Sequence, residues 1–198
     1  MQKSIQQSTH TYSILDAARI FGEMETARTL QTNFLSLYMG SSEELLGSVA
    51  PYLFAYQPDS DFAKWLLENG WGNSWGIFIK TNLTIEEVRK HFRKFVLVKT
   101  EDGKELYFRF YDPRVLRIFL PTCDKQQIME FFGPIDYFIV ESETKEEAIV
   151  FKHRNGELVE ERIPANKVFG ELAEEKTPVT KGPEELPEGK KPPRRFIY

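Results

Sequence analysis

The 198-residue chain predicts an α/β fold: a mixed sheet with flanking helices, a small β extension and a proline-rich tail. Three observations carry this. Across residues 12–120, short apolar runs alternate with segments of helical period, the pattern of βαβ units around a mainly parallel or mixed sheet. Ser41/Glu44 and Thr84/Glu87 each have the spacing of a capping box, in which hydroxyl and carboxylate satisfy orphaned backbone amides at a helix start. Beyond Gly133-Pro134 the pattern turns to strands alone. With 41% hydrophobic and 14% aromatic residues the chain can bury one sizeable core, and its length favours one domain.

A strand is expected at residues 12–15, then a helix over 17–30 with Ile20, Met24 and Ala27 on one face, then a short strand at 34–38. Ser41 starts a short helix, and residues 52–56 read as a strand. Ser60 caps a helix that buries Phe62, Trp65 and Leu66, and Asn69-Gly70 supplies its left-handed stop. Residues 75–80 form the next strand. The helix begun by Thr84 turns Ile85, Val88 and Phe92 inward. Residues 95–111 read as a hairpin around Asp102-Gly103, a dipeptide that tolerates positive φ. Its second strand would place Leu106, Phe108 and Phe110 on one side and Tyr107, Arg109 and Tyr111 on the other. Asp112-Pro113 opens a helix that buries Leu116, Phe119 and Leu120, with the acceptor at N-cap and proline at N1. A second helix from Asp124 buries Ile128, Phe131 and Phe132 and stops at Gly133-Pro134. Strands at 137–140, 148–152 and 158–163 follow as the β extension. From Lys176, five prolines punctuate a charged segment that cannot pack a core. The expected organisation is therefore 1–136 as the α/β domain, 137–175 as a β extension of the same core, and 176–198 as an extended tail.

The formal charge of −4 gives no field that would draw the chain onto nucleic acid or anionic lipid. No apolar run approaches a spanning helix, and the amino end, MQKSIQQSTH, lacks a secretory apolar stretch, so a cytoplasmic protein is expected. Cys123 is the single cysteine, which suits a reducing compartment. His10, His91 and His153 lie far apart in sequence without ligand spacing, so neither a metal nor another cofactor is expected.

Among polar residues, His91, Arg93, Arg109, Asp112 and Arg114 form the strongest constellation, open to two readings. One is an anion or phosphate site. The other is a capped helix with a structural ion pair, since nothing sets a nucleophile beside a base. Cys123 precedes a helix start, where the dipole would lower its pKa, against an inert half-buried thiol. Gly70, Gly72 and Gly76 match no phosphate-loop spacing and read as turn glycines. Trp71 and Trp75, with Trp65, read as core or as an aromatic contact platform. The cluster Lys190, Lys191, Arg194 and Arg195 before Phe196-Ile197-Tyr198 reads as solvated tail or as a docking peptide, with Arg194, Arg195, Phe196 and Tyr198 as its contacts.

Several segments together carry a resemblance: Tyr-Ser-Ile-Leu-Asp at 12–16, Ser-Leu-Tyr at 36–38, Ala-Pro-Tyr-Leu at 50–53, Trp-Gly-Ile-Phe-Ile at 75–79 and His-Phe-Arg at 91–93. The most specific is Leu-Tyr-Phe-Arg-Phe-Tyr-Asp-Pro-Arg-Val-Leu at 106–116, followed by Phe-Leu-Pro at 119–121 and Phe-Phe-Gly-Pro-Ile at 131–135. Over residues 12–136 the chain resembles the adaptor, or chaperone, domain of bacterial type VI secretion. The resemblance implies a non-catalytic cytoplasmic protein that binds a secreted toxic effector and a valine-glycine repeat spike protein, and loads the first onto the second. It singles out Arg109, Asp112 and Arg114, either as a hydrogen-bonded corner fixing the hairpin against the next helix or as direct contacts to a partner carboxylate. By the same likeness, residues 137–198 would set partner choice. The competing expectations are an immunity protein that neutralises a toxin and an enzyme acting on phosphoesters through the arginine and histidine cluster.

Overall fold

The order of elements follows from where the chain can satisfy its own amides. The structure, a computed structural model, describes residues 9–20, 22–99, 103 and 105–168. It begins with strand β1 (His10–Asp16), helix α1 (Met24–Leu30), strand β2 (Phe34–Ser36), helix α2 (Ser41–Leu46) and strand β3 (Pro51–Tyr56). Helix α3 (Asp61–Asn69), strand β4 (Gly76–Thr81), helix α4 (Ile85–Val96) and the hairpin of β5 (Leu97–Lys99) and β6 (Glu105–Tyr107) come next. Helices α5 (Pro113–Thr122) and α6 (Lys125–Phe132) lead into β7 (Ile135–Glu141), β8 (Glu147–Arg154) and β9 (Glu157–Pro164). One seven-stranded sheet runs in the order β2-β3-β1-β4-β7-β8-β9, and β5 with β6 forms a separate ribbon.

The α/β class with flanking helices is observed, but strand direction differs from expectation. Every neighbouring pair in the large sheet is antiparallel, where a mainly parallel or mixed sheet was expected. Helix–strand alternation is present because two crossovers each skip a strand. The α1 connection carries the chain from β1 past β3 to β2, and the α3 connection carries it from β3 past β1 to β4. Each crossover joins strands that are parallel to each other, but the strand between them runs the opposite way. The expected β extension, β7 to β9, pairs directly onto β4 and continues the same sheet.

Aromatic side chains fill both faces. Phe54 of β3 stacks on Phe62 of α3 at 5.2 Å between centroids. Strand register places Phe138 on the opposite face, where it meets Phe131 at 5.2 Å and Phe132 at 4.8 Å from α6. Phe92 of α4 stacks on Phe110 at 5.0 Å in the same layer. Rings arranged this way add geometric specificity to the area they bury.

Helix starts follow their caps. Thr84 and Glu87 form the expected capping box, Ser60 accepts from the Ala63 amide, and Asp112 accepts from the Arg114 amide with Pro113 at N1. Asp124 and Gln127 form a further box. Gly40, not Ser41, is the N-cap of α2, without a side-chain capping bond. The helix expected over 17–30 shrinks to α1, because Asp16 takes the Ala18 amide on its carboxylate and the Arg19 and Ile20 amides on its carbonyl, making a turn. Ile20, Met24 and Ala27 are buried as expected. The second hairpin strand stops at Tyr107: the Phe108 amide bonds the Val96 carbonyl and the Asp112 amide bonds the Arg109 carbonyl, so residues 109–112 turn. Arg109 is therefore not presented between two phenol rings on a strand face. Residues 101, 102 and 104 of that turn, and the tail from Lys176 with Arg194, Arg195, Phe196 and Tyr198, lie outside the described residues. Among the described residues no helix is long and apolar enough to cross a membrane.

Gly70 ends α3 with φ −96°, so it supplies no left-handed stop. It is required by proximity: a Cβ there would lie 2.7 Å from the Leu66 carbonyl oxygen. Gly76 is tighter still, with an added Cβ 2.0 Å from the Ile14 carbonyl oxygen across the β1–β4 ladder. Gly76→Ala is expected to destabilise the protein by about 3 kcal/mol or more in urea unfolding, since strand backbones and not flexible tips must move. Gly22→Ala, with nothing within 4 Å, is the control and leaves the midpoint nearly unchanged.

Candidate functional site

At one end of the sheet β1 and β7 finish while β3 and β4 begin, and the polar residues of the chain converge there. Asp16, the last residue of β1, has a side chain 1% exposed, yet it receives a hydrogen bond from the Nη2 of Arg109, 93 residues away. Arg109 also approaches Asp112 Oδ2 at 3.9 Å. Arg114 clamps Asp112 with two bonds, Nε to Oδ1 at 3.0 Å and Nη2 to Oδ2 at 2.6 Å, and its amide donates to Oδ1 at 3.0 Å. The paired geometry suits the planar guanidinium fork.

The charges are segregated by depth. The Asp112 side chain is 3% exposed, whereas those of Arg109 and Arg114 are 44% and 49% exposed. Burial works against the charged form of Asp112, but the bonds and charge of Arg114, with Arg109 beside it, hold its carboxyl below the usual range. Burial likewise opposes the Arg109 cation, and the Asp16 bond and charge outweigh it, so its pKa is raised. Near Arg109 lie the buried Tyr38 and Tyr111, and burial raises both phenols. The Tyr107 ring packs on Tyr38 at 5.2 Å while remaining 45% exposed.

A second buried carboxylate anchor closes the same end. Glu141 of β7 accepts from the Gly72 amide at 2.7 Å, the Ser74 amide at 2.9 Å and the Ser74 hydroxyl at 2.8 Å. These bonds hold Ser74 at φ 54°, uncommon for a residue with a Cβ. Trp71 and Trp75 belong to this clamped loop and are half-buried. The Trp71 indole donates to the Lys145 carbonyl at 2.7 Å, and Trp75 packs on Trp65 at 5.4 Å. A cavity of about 10 Å³ lies between them, enough for one water and too small for an organic ligand.

The structure thus joins Arg109, Asp112 and Arg114 and adds Asp16, but does not bring His91 and Arg93 into the group. His91, 6% exposed, donates from Nε2 to the Phe131 carbonyl at 2.9 Å and sits against Phe92 and Phe95, while Arg93 lies on the exposed side of α4. A carbonyl can only accept, so Nε2 carries the proton. Cys123 directly precedes Asp124, the N-cap of α6, as expected, and is also the C-cap of α5. Its pKa is raised, first by burial and then by Asp124, and its thiol points to the Phe119 carbonyl at 3.4 Å, which corrects the expectation of a lowered value. Gly72, at φ 85°, serves the turn. Asp16, Glu141, Tyr38 and Tyr111 are the site residues that sequence reasoning missed. The available signal was an acidic residue directly after an apolar pair at a strand end, Asp16 after Ile14-Leu15 and Glu141 after Ile139-Val140. Among the described residues no group of three or more His, Cys, Asp or Glu could hold a metal ion.

A family model described as "Domain of unknown function (DUF4123)" matches residues 11–130, more than half of the chain and all of the Asp16, Arg109, Asp112 and Arg114 corner. Comparison with curated proteins and comparison with solved structures each find no match.

Two measurements check the geometry. Arg109→Ala leaves Asp16 buried without its cation and is expected to cost about 1–3 kcal/mol in urea unfolding. Arg114→Ala takes the fork from the buried Asp112, which keeps its backbone donor and Arg109 nearby, and is expected to cost about 1 kcal/mol, the low end of that range. His91 has a second, pH-dependent signature. Burial, partly offset by the Phe131 carbonyl, lowers its folded pKa below the usual 6.5. The unfolded chain therefore takes up the proton first, so this stability is complete above pH 6.5 and falls as the pH drops toward the folded value. Stability against pH should show that slope in the wild type and lose it in His91→Gln.

Proposed function

Because the chain belongs to the DUF4123 family, described as a domain of unknown function, we propose that it is a type VI secretion adaptor, or chaperone, that binds a cognate toxic effector and loads it onto the valine-glycine repeat spike protein before secretion. The observation that carries this reading is how the chain deploys its reactive groups. Asp16, Asp112, Glu141 and His91 are buried and committed to internal bonds, and the Cys123 thiol is held protonated by burial. What faces solvent at the same sheet end is contact chemistry: Met39, Leu45 and Val49 after β2, Tyr107 on the ribbon, and the Arg109 and Arg114 guanidiniums. Exposed large apolar residues beside arginines make a surface for protein contacts. The likeness of residues 106–116 to the adaptor domains supports the same conclusion, because the Arg–Asp–Arg corner falls in that segment. In this reading the protein works in the cytoplasm, its partners are proteins rather than nucleic acid or membrane, and it needs neither metal nor cofactor.

The test is a pull-down of the tagged protein from its native lysate, with identification of the retained proteins. Recovery of a spike protein together with one large toxin is the expected result. Finding neither, in cells that express both, contradicts the adaptor reading. Protection of cells from the toxin by this chain alone would instead make it an immunity protein.

A further inference from the structure

The geometry points to a docking surface for a protein segment that presents a carboxylate beside an apolar side chain, seated over Met39, Tyr107, Arg109 and Arg114 with Arg19 at its border. This inference rests on the adaptor reading and names the chemistry of the partner segment. Strand register puts these residues at one end of the sheet: Asp16 pairs with Pro51 there, and Leu37 donates to the Pro51 carbonyl, bringing the segment after β2 beside the corner. Tyr38 connects the halves, lying next to Met39 in sequence and against Tyr107 at 5.2 Å.

The occupant follows from charge complementarity. The chain carries a net charge of −4, yet at this corner the Asp16 and Asp112 carboxylates are inside and the Arg109 and Arg114 guanidiniums outside. Arg19, exposed on the turn after β1, adds a third cation, held by one bond from Nε to the Asn73 carbonyl at 2.9 Å. A guanidinium has five N–H donors. Arg109 gives Nη2 to Asp16, and Arg114 gives Nε and Nη2 to Asp112, which leaves donors on both for an incoming acceptor. The buried carboxylates cancel the long-range field, so the surface does not steer a polyanion; it rewards a carboxylate that arrives at contact distance. Met39 and Tyr107, 44% and 45% exposed, supply an adaptable thioether and a rigid ring beside those donors. Tyrosine and arginine together are the side chains that most often dominate binding energy at protein interfaces.

The experiment uses the full chain and an array of synthetic peptides pairing Glu or Asp with Leu or Phe, alongside the same peptides with Gln or Asn in place of the acid. The wild type is expected to retain the acidic peptides and not the amides. Met39→Glu, at an exposed position, should lower retention at least tenfold at an unchanged melting temperature, and Arg114→Ala should do the same at a temperature where circular dichroism shows it fully folded. Equal retention of acids and amides, or full retention by both variants, overturns the surface. The lysate pull-down separates this from the broader reading. If spike and toxin are recovered equally by wild type and both variants, the surface is wrong and the adaptor function stands. If acidic peptides depend on Arg114 and Met39 but neither protein is recovered, the surface stands and the adaptor function falls.

Discussion

A carboxylate taken out of water stays ionised only where donors or cations meet it, and otherwise costs several kcal/mol in desolvation. This fold buries Asp16, Asp112 and Glu141 at one end of its sheet, and each is met from a different part of the chain. Arg109 reaches Asp16 across 93 residues and ties the segment between ribbon and α5 to the end of β1. Asp112 starts α5 and takes the Arg114 fork in the same step. Glu141 holds the turn before β4 through two amides and a hydroxyl, and Arg117 donates to its carbonyl at 2.6 Å. Remove these bonds and the loops at that end have little polar reason to choose one arrangement.

The opposite kind of constraint rules the layer below. Phe92, Phe110, Phe131 and Phe138 pack as one aromatic group between the sheet and helices α4 and α6. Phe110 lies two residues before Asp112 and next to Arg109, so the short turn at 109–112 is pinned by rings beneath and by ions above. A turn held from both sides and leading straight into α5 can present the Arg109 and Arg114 guanidiniums at fixed positions without a strand to support them. The proposed contact surface depends on that rigidity, because preorganised donors lose less entropy when a partner arrives.

Much of this was legible in the sequence. The Thr84/Glu87 box, the Ser60 cap, the Asp112-Pro113 start and the Gly133 stop read correctly because each is a local rule linking a side chain to a nearby amide. Strand direction was not legible. Helix and strand alternate whether a crossover lands on the adjacent strand or skips one, and only the long-range pairing of β1 with both β3 and β4 decides. The helix expected from residue 17 failed because the Asp16 side chain captures an amide two residues on, a local competition that apolar period ignores. For the site, Arg109, Asp112 and Arg114 stood out by sequence proximity, but Asp16 lies too far along the chain for pattern reading to pair it with Arg109. His91 looked polar and therefore functional, whereas its single bond to a helix carbonyl makes it a core residue.

The corner anchors this end of the sheet only if Asp16 and Arg109 stabilise the fold through each other. A double-mutant cycle in urea, with Asp16→Asn, Arg109→Gln and the two combined, measures that directly. Coupling of about 1 kcal/mol or more, with the double variant losing less than the two single losses added, is the predicted result. Losses that simply add would contradict the account, because the two side chains would then act independently and the corner would not be the anchor of this end of the sheet.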